Sequence, residues 1–157
     1  MKKEETVDYR IKSAWHAISR MYNQGGSLKG ITASTGFVLL NIDMEEGTPA
    51  TKIAPMLGME ARSLTRMLKN MEESGLIYRK SDLVDKRLVR IHLTAEGIRK
   101  RNFSRKAVIF FNEKIREGLT DSELRGFFKT IDIIINTIED HKITEQIELI
   151  EHEQQTH

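Results

Sequence analysis

The sequence predicts a mainly α-helical protein with one small β-hairpin. Through most of the 157 residues, apolar side chains recur at spacings of three and four, the mark of helices that bury one face. Only between Leu76 and Thr94 does the period fall to two, as in a half-buried strand. Glycines and capping residues then divide the helical stretches into separate elements.

Val7, Ile11, Ala14, Trp15, Ile18, Met21 and Tyr22 share one helical face, and Gly25-Gly26 is the expected stop of this first helix. The stretch TASTGFVLLNIDMEEG is apolar nearly all round from Phe37 to Ile42, which predicts a central buried helix ending at Gly47. Within it, Gly36 is either a weak point or a place of close packing. A short third helix is expected next, with Thr48 as N-cap, Pro49 at the first helical position and Gly58 as terminator. Pro55 inside it predicts a kink or tightened turn. A fourth helix, MEARSLTRMLKNMEESG, carries Leu64, Met67, Leu68 and Met71 on one face, is basic over its N-terminal half, and closes at Gly75.

The hairpin follows, with Leu76, Ile77 and Tyr78 leading in. Val89, Ile91 and Leu93 on the return strand are expected to anchor it to the core, and its tip is charged. A long helix then runs to about Glu117 with Ile98, Phe103, Ala107, Phe110, Phe111 and Ile115, stopped by Gly118. Thr120 and Glu123 form a capping box for a last helix. This helix holds Leu124, Phe127, Phe128, Ile131, Ile133, Ile134, Ile135 and Ile138, then the sparser Ile143, Ile147 and Ile150. So much apolar surface exceeds what one small domain covers from one side, and a second copy of the chain is the expected partner.

Composition narrows the function. The absence of cysteine excludes disulfides, thiolate metal sites and thiol chemistry within these residues. No stretch approaches the roughly 18 apolar residues of a membrane span, and the N-terminus lacks an apolar signal core, so a cytoplasmic protein without membrane contact is expected. The net charge is only +2 but is unevenly placed. Residues 60–106 hold thirteen Lys/Arg against six Asp/Glu, whereas residues 107–157 hold five against eleven. A basic middle with an acidic tail points to one face attracted to a polyanion. No phosphate-binding glycine loop, H-E-x-x-H or G-x-S-x-G is present, and acid pairs such as Glu45-Glu46 and Glu72-Glu73 read as solvated, so no enzyme is expected. The five histidines, at 16, 92, 141, 152 and 157, show no paired ligand spacing, so no metal or cofactor is expected either.

Helix, tight turn, helix with an exposed polar face, then hairpin is the order of a winged helix-turn-helix. On the fourth helix Arg62 and Arg66 have the reach and donors to bond guanine edges, and Ser63 and Thr65 suit phosphates or a thymine methyl. Lys69, one turn on, suits a phosphate. The same cations would also make an ordinary solvated face; the order of elements around them favours the first reading.

Six landmarks in order carry a more specific resemblance. The buried second helix and the capped short third helix are followed by Ser63-Leu64-Thr65-Arg66, Gly75-Leu76-Ile77-Tyr78-Arg79, Asp82-Leu83-Val84-Asp85-Lys86-Arg87 and Leu93-Thr94-Ala95-Glu96-Gly97. In these the chain resembles the MarR family of bacterial transcriptional regulators. The resemblance implies a homodimer on a pseudo-palindromic DNA duplex, with Arg87 reaching into the minor groove and Asp85 holding the wing in shape through ion pairing. Lys86 keeps the charge where many members have a second arginine but lacks its fork geometry, and Leu83 stands where proline is common. It also implies a ligand-responsive repressor with a pocket for a small aromatic or phenolic effector, to which Trp15, His16, Tyr22 and Phe103 are candidates. Cysteine-based peroxide sensing, known in another branch, is excluded.

The expectation is therefore a single domain over residues 1–157. A winged helix DNA-binding lobe at about 30–97 is flanked by helical dimerisation regions at 1–26 and 98–157. A winged-helix module that binds proteins instead of DNA is the competing expectation, and the basic bias of residues 60–106 speaks against it.

Overall fold

The computed structural model describes residues 1–140 and 142–154, and side chains through residue 150. His141 and His157, and the side chain of His152, lie outside that description. The elements are α1 (Val7–Gly26), α2 (Ala33–Leu40), β1 (Thr48–Pro49), α3 (Ala50–Met56), α4 (Ala61–Glu73), β2 (Ile77–Ser81), β3 (Val89–Leu93), α5 (Ala95–Glu117), α6 (Asp121–Glu139) and α7 (Lys142–Gln154). The chain divides into two compact units, residues 1–110 and 111–157.

In the first unit a core of Val38, Leu39, Ile42, Ile53, Leu64, Leu68, Met71, Leu76, Ile77, Ile91 and Leu93 joins α2, α3 and α4 to the sheet. The three strands are antiparallel in the order β1-β3-β2. α4 forms because Leu64, Leu68 and Met71 fall on one side at spacings of four and three, and all three are buried. It ends at Gly75, whose φ of 69° only glycine adopts without strain, and Leu76 N–H closes the turn onto Met71 O at 2.9 Å.

The join between β3 and α5 is equally determined. Thr94 Oγ1 accepts from Gly97 N–H at 3.0 Å, capping α5. The Thr94 hydroxyl also lies 2.6 Å from Gly75 O and 3.2 Å from Leu76 O, its acceptors at the end of α4. A Cβ on Gly97 would fall 2.0 Å from Leu76 O, so α5 can approach this closely only with glycine there. At Gly36 the close-packing alternative holds: a Cβ would meet Ser104 Oγ of α5 at 3.0 Å.

Several sequence expectations are corrected. Thr48 and Pro49 do not cap and start α3; they form β1, with Thr48 paired to Ile91. The Thr48 hydroxyl donates to Asn41 O at 3.2 Å and accepts from Asp43 N–H at 2.9 Å, so it serves the preceding loop. α2 ends at Leu40 instead of Gly47, because the Asn41 side chain donates back to Phe37 O at 2.9 Å. α1 runs through Gly25-Gly26 and a 3₁₀ turn follows, with the left-handed reversal at Gly30. Val89 is 40 % exposed, leaving Ile91 and Leu93 as the strand's anchors.

In the second unit Thr120 Oγ1 accepts from Glu123 N–H at 3.3 Å and Thr120 N–H donates to Glu123 Oε2 at 2.8 Å, which realises the capping box of α6. The expected single last helix is two, α6 and α7. Phe127, Phe128, Ile133, Ile135 and Ile138 on α6 and Ile147 and Ile150 on α7 are all exposed in this single chain.

Candidate nucleic-acid interface

α4 buries one side, so its remaining surface is fixed by geometry. Arg62, Ser63, Thr65, Arg66 and Lys69 are all exposed, together on the surface that Leu64, Leu68 and Met71 do not occupy. Among the described residues Arg62 and Arg66 have no ion-pair partner, so both guanidinium groups are available to a ligand. Lys69 stands 3.8 Å from Glu73, a solvated pair that costs little to exchange. The Thr65 hydroxyl donates to Ala61 O at 2.8 Å. Its proton is spent on the helix, so Thr65 can offer a partner only a lone pair or its methyl group. At the far end of the helix, Arg79 of β2 pairs with Glu72 at 3.0 Å and ties the hairpin to α4.

The hairpin tip is organised by Asp82, one of three buried polar residues of the described chain. Its Oδ1 accepts from Val84 N–H at 2.8 Å and Asp85 N–H at 3.0 Å, and its Oδ2 accepts from Arg90 Nε. The bond from the Arg90 guanidinium, then the two backbone donors, hold this carboxyl down at about 2, well below the usual carboxylate value. Arg90 Nη1 donates in turn to Gly47 O at 3.1 Å and Glu46 O at 3.3 Å, so one guanidinium joins the wing to the loop before β1. That loop is itself shaped by Asp43, whose Oδ1 accepts from Glu45 and Glu46 N–H; those bonds lower its carboxyl.

The ion pair expected of Asp85 therefore belongs to Asp82 and Arg90. Asp85 makes no ion pair among the described residues; its Oδ1 accepts from Arg87 N–H at 3.0 Å, and its carbonyl accepts from Leu88 N–H at 3.0 Å. It shapes the backbone on which Lys86 and Arg87 stand, and both of those side chains are exposed, without an ion-pair partner among the described residues. Beside them Leu83 and Val84 are 77 % and 95 % exposed. Asp82 and Arg90 were missed as a pair because nothing local joins them. The available signal was the hairpin register, which sets Arg90 opposite Lys80, two residues before Asp82.

Of the four candidate effector residues, two share an aromatic partner and one lines a cavity. Trp15 and Tyr22 both pack on Phe37, with ring centroids 5.5 and 5.9 Å apart, and His16 is exposed. Phe103 instead lines a separate cavity of about 410 Å³ with Ile31 and several cations of α5. Among the described residues no group of three or more His, Cys, Asp or Glu is placed to hold a metal, and no helix is long and apolar enough to cross a membrane.

A buried-sided helix with an exposed cationic face, seated beside a hairpin whose tip is braced from within, defines a winged helix-turn-helix protein. Residues 31–89, from just before α2 to the wing, match the family model described as MarR family. It is 34 % identical over 89 residues to the HTH-type transcriptional regulator TtmR of Methylorubrum extorquens (strain PA1), a match covering 57 % of this chain and 46 % of that protein. It is 31 % identical over 97 residues to the organic hydroperoxide resistance transcriptional regulator of Bacillus subtilis (strain 168), covering 62 % of this chain and 66 % of that one. The chain thus spans less than half the length of the first of these relatives. Among solved structures, the S. aureus MepR–DNA complex superposes with a TM-score of 0.78 at 21 % identity, over 85 % of this chain and 98 % of that one, a likeness of fold.

Proposed function

We propose that this chain is a sequence-specific DNA-binding transcriptional regulator. In this reading it acts in the cytoplasm as a homodimer on a pseudo-palindromic operator, and represses until a small molecule releases it. The observation that carries the reading is the pairing of two exposed cationic elements in one lobe: the α4 face with Arg62, Arg66 and Lys69, and the wing tip with Lys86 and Arg87. α4 is the element for the major groove, where arginine bonds guanine O6 and N7 in a fork and the Thr65 methyl suits thymine. Arg87 suits the minor groove, whose negative potential deepens where it narrows. Both curated relatives are named as transcriptional regulators, and the MepR structure is a DNA complex.

The lobe at about 30–97 is read as the DNA-binding part. The exposed apolar faces of α1, with Val7, Ile11 and Trp15, and of α6 and α7 are read as the surfaces that pair two subunits. Two-fold symmetry then sets the half-sites about one helical turn, roughly 34 Å, apart. Selection from random duplexes tests this: an enriched inverted repeat is expected, and enrichment of no sequence would contradict it.

A further inference from the structure

The cavity beside Phe103 has a composition that the DNA-reading surface does not explain. Its apolar walls are Ile31, just after the 3₁₀ turn, and Phe103 of α5. Around them stand Lys29, Lys100 and Lys106. Arg99 is there too, but both Nε and Nη2 of its guanidinium are bonded to Glu96, so that pair is neutral in sum. The three lysines have no such partner among the described residues. Lys100 Nζ lies over the turn itself, 3.6 Å from where a Cβ on Gly30 would be.

Three ammonium groups gathered without counter-charge repel one another, and a packed surface kept only for stability would set acids among them. The cavity volume, about 410 Å³, falls within the usual range for small-molecule sites of about 300 to 1,000 Å³. A neutral phenol would use the Phe103 wall and leave all three charges unanswered. A monocarboxylate would leave two.

We infer that this cavity binds an amphipathic polyanion: a small molecule with an apolar or aromatic body against Ile31 and Phe103, and a doubly charged group, such as a phosphomonoester, among Lys29, Lys100 and Lys106. The inference deepens the proposed regulation and rests on it for its consequence. The occupant would lie along the first three turns of α5, the helix whose start Thr94 and Gly97 fasten to the end of α4. A ligand that favours or disfavours the arrangement of that joint in which the duplex binds changes duplex affinity, and by linkage the duplex changes the ligand's affinity by the same factor.

The test is titration calorimetry on the full chain at fixed ionic strength, with phenyl phosphate, benzoate, phenol and inorganic phosphate as probes. Phenyl phosphate is expected to bind at least roughly tenfold more tightly than each of the others, since neither ring nor charge alone answers both walls. Lys29→Gln with Lys106→Gln, both exposed positions that leave the core intact, should abolish that preference and leave the weak binding of phenol unchanged. Equal binding of phenol or benzoate, equal binding of inorganic phosphate, no binding of phenyl phosphate, or a preference that survives the double variant would each overturn the inference. Without any probe, the double variant should bind a selected duplex as the parent does. Uniform weakening on every duplex would make these lysines phosphate-backbone contacts, overturning the cavity's role while leaving the proposed function standing. Failure of the parent to bind any duplex, with the phenyl phosphate preference intact, would remove the proposed function and leave the cavity's chemistry established.

Discussion

The Thr94 hydroxyl meets Gly75 O at 2.6 Å and so locks the first turn of α5 to the end of α4. The same oxygen accepts from Gly97 N–H, so one side chain caps one helix and anchors another. Thr94→Ala is expected to cost about 1 to 2 kcal/mol of unfolding free energy, the usual worth of an N-cap with a tertiary bond added. Urea unfolding measures it. A Thr94→Ser variant, which keeps the hydroxyl, should recover most of the loss.

Gly97→Ala tests the same joint by crowding. The new methyl would fall 2.0 Å from Leu76 O, a backbone atom that cannot step aside without moving β2 or α5. A loss of about 1 to 3 kcal/mol is expected from overpacking. A melting temperature equal to the parent's would show that the joint is looser than this geometry.

Arg66→Ala should weaken binding to a selected duplex by about 1 to 3 kcal/mol and relax preference at one base position per half-site. Competition with a set of single-base variants reads this directly. Equal weakening on all of them would reassign Arg66 to a phosphate.

For Arg87 the expected signature lies in the sequence flanking the half-sites. Arg87→Ala should lose most affinity on duplexes with A·T-rich, narrow minor grooves there, and least on G·C-rich ones. An equal loss on both would place the wing arginine on the backbone.

Asp82 gives a pH prediction. Its folded-state value of about 2 lies below the ordinary 3.8, so the deprotonated form is the one that folding favours. The stability this supplies is fully present above about pH 4 and is lost as pH falls through 2. Asp82→Asn removes the titrating group and keeps the shape, so the parent should lose its advantage over the variant across that window. Denaturant unfolding from pH 5 to pH 2 follows the difference; two parallel curves would mean that the Asp82–Arg90 pair contributes nothing to the folded state.

Much of this was legible in the sequence wherever the determinant is local. The α4 stripe of Leu64, Leu68 and Met71 and the Thr120–Glu123 capping box depend on spacings of three and four within one helix. Elements set by distant partners were not. Thr48-Pro49 reads as a helix start, and becomes a strand because Ile91, 43 residues later, offers it a ladder edge. Asp82 reads as tip charge and as the first residue of the Asp82–Arg87 landmark, with no role of its own, since that role comes from Arg90 across the hairpin and from carbonyls 43 and 44 residues away in sequence from that arginine. Periodicity places Trp15 and Tyr22 on one face of α1 but does not say that Phe37 is the ring both of them pack on.

The central claim, that the faces of α4 and the wing are built for DNA, is tested most directly by the salt dependence of binding to a selected duplex. If Arg62, Arg66, Lys69, Lys86 and Arg87 meet the duplex, log Kobs should fall linearly with log salt, with a slope of about −0.9 for each phosphate neutralised. Replacing Lys69 or Lys86 by Gln should make that slope shallower by about one per half-site. Affinity that stays flat as salt rises, or no binding to any duplex, would contradict the account.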